Sequence, residues 1–226
     1  MQRDAAYATK YRKIVAELLQ NREKYAILAL TKHESEVMTM PEKSTDRRAL
    51  RTRKALADAL SELLTQKQLH KITVAEICEK ADLNRGTLYR HYLDVYDLYE
   101  KIEKETVVAF ALLMLDAGEQ STEEFFKKII EYISQNKSIF KMAFSPNTTG
   151  QLRSKLCDII KGVFQQKQIE KGTDGLSETE LNYMCSYRAQ GCVAIISDWV
   201  AGGFKEPEDF IVKTIAKLDS NTEKVF

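Results

Sequence analysis

The sequence predicts an all-α fold, and three observations support that prediction. The 226 residues include only nine glycines and three prolines, fewer than strand-and-turn architectures need at their turns. Apolar residues recur at spacings of three and four along most of the chain, as they do on the buried faces of helices. Two polar residues, Thr73 and Asn84, stand immediately before such segments, where helices are commonly capped.

Composition and charge exclude several classes of protein. Hydrophobic residues make up 44% of the chain, enough for one core or for a core with a small satellite domain. The 34 basic and 33 acidic residues nearly balance, so an interaction with nucleic acid would depend on where the charges lie. The sequence has no run of about 18 uncharged apolar residues and no signal peptide. We therefore expect a cytoplasmic protein.

The cysteines predict neither a disulfide framework nor a metal site. Cys78, Cys157, Cys185 and Cys192 lie far apart, without a Cys-x-x-Cys pair and without a histidine cluster nearby. We expect them to be buried as small apolar side chains, and we expect no cofactor.

The N-terminal segment, residues 1–40, leaves two alternatives open. Residues 4–30 have the spacing of a helix, and residues 31–46 form a polar stretch without periodicity that is typical of a linker. This segment is either a helical extension of the protein, or translation begins at Met38 or Met40 and the preceding residues are absent from the working chain.

Residues 41–94 predict a domain of three helices. The helices are expected over residues 45–66, 72–81 and 85–92, with a turn over 82–84. Thr73 and Glu76 have the three-residue separation of a capping box at the start of the second helix, and Asn84 caps the third. Two short helices joined by a three-residue turn and braced by a longer helix are the geometry of a helix-turn-helix.

Residues 95–226 predict a second helical domain. A long helix begins near Val95 and leaves the first domain. Further amphipathic segments are expected over residues 123–135, 151–168, 178–200 and 207–218. Gly202 and Gly203 end the segment before the last one with the chemistry of a helix C-cap.

The third predicted helix carries side chains suited to DNA. In a helix-turn-helix this helix enters the major groove and presents its first residues to base edges. Arginine can bind guanine through two hydrogen bonds, and the threonine methyl group suits thymine. Residues placed to meet base edges are Arg85, Gly86, Thr87 and Arg90. Polar residues suited to phosphate oxygens or placed at the adjoining cap are Asn84, Tyr89, His91 and Tyr92.

Basic charge is concentrated at the start of the first predicted helix. Residues 43–54 hold six basic residues and one acidic residue, and we include Arg47, Arg48 and Arg51 in the predicted DNA-binding set. Each feature alone has a plainer interpretation, because aromatic helices usually pack in cores and basic runs are usually solvated. Their combination with a capping box and a turn in the correct order favours a DNA-binding surface.

These motifs resemble those of the TetR/AcrR transcriptional regulators. The resemblance rests on "TRKALADALSELL" followed by "ITVAEICEKADLNRGTLYRHYLDVYDL", roughly residues 47–100. It implies a homodimeric repressor that is released from a palindromic operator by a small-molecule ligand. By motif position, the residues that inherit DNA contacts are Thr73, Arg85, Thr87, Tyr89 and His91. The chain departs from the family pattern at Asp82, where glycine is usual, and at Val95, where a phosphate-binding lysine is common.

The second half is expected to hold the sensor and the dimer interface. Candidate residues for a ligand pocket, which is typically apolar with a few polar groups, are Phe140, Phe144, Phe164, Tyr183 and Tyr187. The plainer interpretation is that most of these aromatics fill the core. We expect dimerisation through residues 178–202 and 207–218, where Ala189, Gly191 and Ala194 allow close approach.

The alternatives to a ligand-released repressor are a coactivator or adaptor and a helical enzyme. A coactivator or adaptor would keep the DNA-binding domain and use its C-terminal half to bind a protein partner. A helical enzyme is not supported, because the sequence has no Gly-rich phosphate loop, metal-ligand spacing or Ser/His/Asp arrangement. We therefore expect a regulator without catalytic activity.

Overall fold

A computed structural model describes residues 44–117, 121–172 and 175–223, and within these ranges the chain is helical and contains no strand. The DNA-binding half comprises α1 (Ser44–Leu64), a 3-10 turn (Leu69–Lys71), α2 (Val74–Lys80) and α3 (Arg85–Tyr89). The remaining helices are α4 (Val95–Ala117), α5 (Thr122–Gln135), α6 (Lys137–Ala143), α7 (Gln151–Lys171), α8 (Glu178–Ala201) and α9 (Glu208–Glu223). The predicted all-α fold is confirmed.

The buried faces of the first three helices belong to a core that continues into the second half. Leu56, Leu60 and Leu64 lie on one face of α1 and are fully buried. They pack in the same core as Ile77 of α2 and Leu88 of α3, both of which are also fully buried. Because α3 has only five residues, its one buried leucine is what anchors it.

Ion pairs at the edge of this core fix α2 against α1. Lys80 binds Glu62 at 2.6 Å, and Lys67 binds Glu76. The bond from Lys67, together with the backbone and hydroxyl of Thr73, lowers the pKa of Glu76 to about 2 from its usual 4.5. The carboxylate that closes the capping box is therefore ionised at physiological pH.

The second half is a bundle in which α4 leads away from the first domain. α4 packs on α5 and α7, α7 packs on α8, and α9 packs on both α5 and α8. Its interior is rich in aromatic rings: Phe125 meets Phe126 edge-on with ring centroids 5.2 Å apart, and Tyr132 meets Phe140 at 5.8 Å. All four cysteines are buried and free, as expected.

A buried ion pair joins α8 to α9. The Arg188 guanidinium donates from Nε to Asp219 Oδ1 at 2.7 Å and from a terminal nitrogen to Asp219 Oδ2 at 2.9 Å. The side chains are 6% and 0% exposed. The guanidinium carbon also lies 4.4 Å from the centroid of the Phe164 ring on α7. Three helices therefore meet at one arginine.

Several element boundaries differ from those predicted. α1 ends at Leu64 rather than near residue 66, and α3 ends at Tyr89 rather than at residue 92. α6 and the 3-10 turn were not predicted, because segments of seven and three residues are too short to show a period. Gly203 has φ of 81° at the end of α8, as the C-cap prediction requires. The predicted helix and linker within residues 1–43 lie outside the described residues.

Candidate nucleic-acid interface

The start of α2 has the predicted capping box. The Glu76 N–H donates to the Thr73 hydroxyl at 3.4 Å, and the Thr73 N–H donates to Glu76 Oε2 at 3.0 Å. The Thr73 hydroxyl also donates to the same carboxylate oxygen at 2.8 Å. Thr73 is exposed, so the residue that caps α2 also lies on the surface that the sequence assigns to DNA.

The turn between α2 and α3 requires a left-handed residue, and Asp82 provides it. Asp82 has φ of 53°, a conformation that glycine adopts most readily and that Asp and Asn tolerate better than other side chains. Reversal of the chain there allows the Leu83 N–H to donate to the Cys78 carbonyl at 2.9 Å. The departure from glycine at this position is therefore compatible with the turn.

Asn84 caps α3 and begins a chain of side-chain hydrogen bonds along it. Its Oδ1 accepts from the Thr87 N–H at 2.8 Å and from the Thr87 hydroxyl at 3.0 Å. Arg90 in turn donates to the Thr87 hydroxyl oxygen and to the Gly86 carbonyl, both at 3.4 Å. The cap thus holds Thr87 in place, and Thr87 orients Arg90 across the outer face of the helix.

α3 is the predicted reading helix, the helix whose side chains are expected to contact base edges. The structure places some residues of this predicted segment on the surface and others in the core. Arg85, Gly86, Tyr89 and Arg90 are exposed on α3, and His91 and Thr87 are half-buried. Tyr92 is 6% exposed and lies in the core, and burial raises the pKa of its phenol to about 12. Tyr92 therefore supports the helix from behind instead of lying on its outer face with Tyr89.

The basic run lies on α1. Arg48 and Arg51 are exposed, and Arg53 lies 3.8 Å from Glu105 on α4. The side chain of Arg47 is outside the described residues. Lys54 is exposed as well, so exposed positive charge extends over the first three turns of α1, and Arg53 within this run pairs with α4.

The first residue of α4 is Val95, at the position where a phosphate-binding lysine is common in the TetR/AcrR pattern. Val95 is buried. The Leu93 N–H donates to Asp97 Oδ2 and the Asp97 N–H donates to Asp94 Oδ1, both at 2.8 Å, so carboxylates cap the helix. Lys101 binds Asp97 at 2.9 Å and the His91 carbonyl at 3.1 Å. Lys101 therefore joins the segment after α3 to the first turns of α4.

The five candidate ligand residues divide into rings packed in the bundle and exposed tyrosines. Phe140 and Phe164 are buried and Phe144 is half-buried, and each packs against other rings. Tyr183 and Tyr187 are 69% and 68% exposed, which corrects the expectation that they line a pocket within the protomer. The two tyrosines are four residues apart on α8, one turn of a helix, and share its outer face.

The outer face of α8 continues beyond the tyrosines with small residues. Gly191 and Ala194 are exposed, whereas Ala189 is fully buried inside the protomer, which corrects the expectation that it takes part in close approach between protomers. Phe210 and Leu218 of the adjacent α9 are also more than half exposed. The two helices expected to mediate dimerisation therefore expose apolar side chains.

Sequence reasoning missed two polar groupings that hold the molecule together. One is the Arg188–Asp219 pair. Its signal in the sequence is that α8 and α9 each carry a charged residue at a position where the apolar periodicity predicts a buried side chain. The other is the loop between α6 and α7, where Asn147 Nδ2 donates to the Leu64 carbonyl at 2.8 Å. That second contact leaves no trace in the sequence pattern, because its acceptor is a backbone atom 83 residues away.

Two family models match the chain. The model described as bacterial regulatory proteins, tetR family, matches residues 56–102, and the model described as transcriptional regulator C-terminal region matches residues 120–220. The first match contains α2, the turn and α3. Within the described ranges no helix is both long and apolar enough to cross a membrane.

Known proteins share both the sequence and the fold. The HTH-type transcriptional regulator YxbF of Bacillus subtilis is 40% identical over 151 residues, 63% of this chain, and the chain spans only 38% of that protein's length. The dihydroxyacetone kinase operon activator DhaS has a similar fold, with 19% identity and a TM-score of 0.54 over 77% of this chain and 97% of its own. FadR from Bacillus subtilis, in complex with stearoyl-CoA, gives 17% identity and a TM-score of 0.56 over 74% and 96%.

Proposed function

Because the chain belongs to the TetR family of bacterial transcriptional regulators, we propose that it represses transcription as a homodimer on a palindromic operator. A small-molecule ligand then releases it from the DNA. The observation that carries this proposal is the exposed face of α3, on which the Asn84 cap and Thr87 hold Arg90 beside Arg85 and Tyr89. A helix of five residues with a glycine has little stability of its own, so a surface for DNA explains its composition better than packing does.

The side chains of α3 divide into two roles. Arg85 and Arg90 read bases, because guanidinium groups can donate two hydrogen bonds to guanine. Tyr89 and the exposed arginines at the start of α1 bind phosphates and set the register on the duplex. The side-chain oxygens of Asn84 and Thr73 already accept hydrogen bonds from N–H groups at the starts of α3 and α2. Their main contribution is therefore to orient these two helices.

Dimerisation follows from the requirement for two half-sites. Reading helices of a dimer enter successive major grooves about 34–36 Å apart. The exposed apolar faces of α8 and α9 support an interface there, since a two-fold axis allows the same patch on both protomers to pack against itself. The long helix α4 then carries any rearrangement in the bundle to α3.

The packed aromatic core constrains how a ligand would act. A ligand that enters between Phe140, Phe164 and their neighbours must separate helices that are in contact, and it therefore favours a bundle conformation different from the described one. Such a change tilts α4 and alters the separation of the two reading helices. The likeness to FadR supports an acyl-CoA as the first ligand class to test.

A second candidate function is an adaptor whose C-terminal half binds a protein partner. The observation that favours it is the close packing of aromatic rings in the described part of the bundle, together with the likeness in fold to the operon activator DhaS. Titration of stearoyl-CoA onto a protein–operator complex discriminates between the two. Dissociation at micromolar ligand supports the repressor, whereas a complex that resists ligands and is altered by an added protein supports the adaptor.

The first prediction concerns the reading helix itself. Selection from a random pool of double-stranded DNA is expected to recover a palindrome with the wild-type protein, and affinity for it should fall steeply between 50 and 200 mM salt as phosphate contacts are screened, as is general for such contacts. Replacing Arg85 by alanine is expected to weaken binding by about 10- to 100-fold and to relax specificity at one position of each half-site. The measurement is a fluorescence titration of the selected duplex and of duplexes with single base changes.

The control for this prediction is Glu79→Ala, an exposed residue of α2 that has no assigned DNA contact. It should leave both affinity and base preference unchanged. Equal enrichment of the palindrome by wild type and by an Arg85→Ala/Tyr89→Ala double variant would contradict the assignment of α3 as the reading helix.

A second prediction separates stability from binding at Gly86. A Cβ atom built at this position would meet only Asn84 Oδ1, at an ordinary 3.4 Å, so alanine fits in the free protein. Gly86→Ala is expected to stabilise the fold by about 0.4–1 kcal/mol and to weaken operator binding by roughly tenfold, because the backbone must approach the DNA closely. Thermal unfolding and DNA titration measure the two effects. An unchanged affinity would show that the backbone of α3 keeps its distance from the duplex.

A further inference from the structure

The loop between α6 and α7 is bound to the connection between α1 and α2. Asn147 makes the central contacts: its side-chain amide donates to the Leu64 carbonyl at 2.8 Å, and its own carbonyl accepts from the Leu69 N–H at 3.2 Å. The Ser145 hydroxyl donates to the same Leu64 carbonyl at 3.0 Å. One residue of the second half therefore holds both ends of a four-residue connection in the first.

Asn147 contacts Leu64 and Leu69, the residues on either side of the connection that leads to α2. Leu64 is the last residue of α1, where the carbonyls of a helix lack partners within the helix. Leu69 is buried and opens the 3-10 turn that leads to the Thr73 cap. Between them, the N–H groups of residues 65–67 donate to Glu62 and Leu63 at the end of α1, and the Lys67 side chain binds Glu76 of α2. The contacts of Asn147 tie this connection to the second half and so direct how the chain enters the helix-turn-helix.

The remaining contacts between the two halves restrict this direction less. α1 packs on α6 through apolar side chains, and such packing has no directional preference. The ion pair between Arg53 and Glu105 is long, at 3.8 Å, and both side chains are about 40% exposed, so it contributes little. The Ser61 hydroxyl donates to the Ser138 carbonyl, one turn before the end of α1. Lys101 of α4 also donates to the His91 carbonyl at 3.1 Å, just after α3. The directional bonds that act on the connection between α1 and α2 are those of the loop at the end of α1.

We propose that Asn147 is a positioning residue that sets the angle of the helix-turn-helix on the C-terminal bundle and thereby fixes the half-site spacing that the dimer accepts. This inference rests on the proposed function. Successive base pairs are 3.4 Å apart, so a rotation that moves α3 by about that distance changes the favoured spacing by one base pair. A dimer whose domains are held at one angle discriminates between spacings, and a dimer with loosened domains does not.

The test measures spacing preference in the full-length protein. The palindrome selected by the wild type is rebuilt with its central spacer shortened or lengthened by one base pair, and Kd is measured for each duplex. Wild type is expected to prefer the selected spacing by at least tenfold. Asn147→Ala is expected to reduce that preference by fivefold or more, while its discrimination against a base change within a half-site stays as in the wild type. Ser145→Ala removes one donor to the Leu64 carbonyl and the acceptor of the Asn147 N–H but keeps the bonds of Asn147 to Leu64 and Leu69, and it is expected to have a smaller effect in the same direction.

Thr65→Ala is the matched control. The Thr65 hydroxyl donates to the Glu62 carbonyl at 2.7 Å, so this variant also removes a side-chain bond to a carbonyl near the end of α1, but one that does not join the two halves. It should keep the spacing preference of the wild type. Uniform weakening of Asn147→Ala on all duplexes, with an unchanged preference, would overturn the positioning role. Absence of any sequence-specific binding by the wild type would overturn the proposed function and this inference with it.

Discussion

Asp219→Ala is expected to lower the free energy of unfolding by about 3–5 kcal/mol. Both side chains of the Arg188–Asp219 pair are almost completely buried and joined by two short hydrogen bonds. Removal of the carboxylate takes both of these charge-assisted hydrogen bonds from a guanidinium that is almost completely buried, and the loss of those two bonds is the main cost. The measurement is urea denaturation followed by circular dichroism.

Two further variants separate charge burial from simple loss of a side chain. The double replacement Arg188→Met with Asp219→Leu is expected to recover most of the stability, because an apolar pair of similar volume removes both charges from the core. Asp158→Ala, at an exposed position of α7, should stay within about 0.5 kcal/mol of the wild type. A loss below about 1 kcal/mol for Asp219→Ala would contradict the assignment of this ion pair as a main stabilising contact between α8 and α9.

The helix-turn-helix could be predicted from sequence almost residue by residue because its signals are local. A cap and the helix that it starts lie within three residues of each other, as at Thr73 with Glu76 and at Asn84 with Thr87. Asp82 was also interpretable, since its left-handed conformation depends on the turn alone. The predicted extent of α3 was too long because Tyr92 continues the pattern of polar aromatics, although its ring packs into the core.

The second half was less predictable because its important contacts join distant parts of the chain. Tyr183 and Tyr187 were assigned to a pocket from residue type, whereas their exposure follows from position: Met184, Cys185 and Arg188 define the inward face of α8. The burial of Arg188 depends on Asp219, 31 residues away. A charged residue within an otherwise apolar face was the available signal, and only packing shows which partner it has.

The outward face of α8 leads to the last prediction: Gly191→Arg is expected to convert the protein to a monomer. Gly191 is exposed in the middle of α8, and a Cβ atom added there would meet nothing within 4 Å. Arginine therefore fits the isolated protomer, and it should stabilise the helix by up to about 1 kcal/mol relative to glycine. Loss of the dimer could not then be explained by loss of the fold.

In a symmetric interface the substitution acts twice, because the same patch from each protomer meets at the two-fold axis. Two arginines would be desolvated close together, and sedimentation velocity should report a folded monomer. Since a dimer gains from linking two half-site interactions, affinity for the full palindrome is expected to fall by about 10²- to 10⁴-fold toward that of one half-site. Gly191→Ala, which adds one methyl group without charge, should remain dimeric and bind the operator within a few-fold of the wild type. A dimeric Gly191→Arg protein with normal operator affinity would place the interface elsewhere and would leave the exposed face of α8, with Tyr183 and Tyr187, for a different partner.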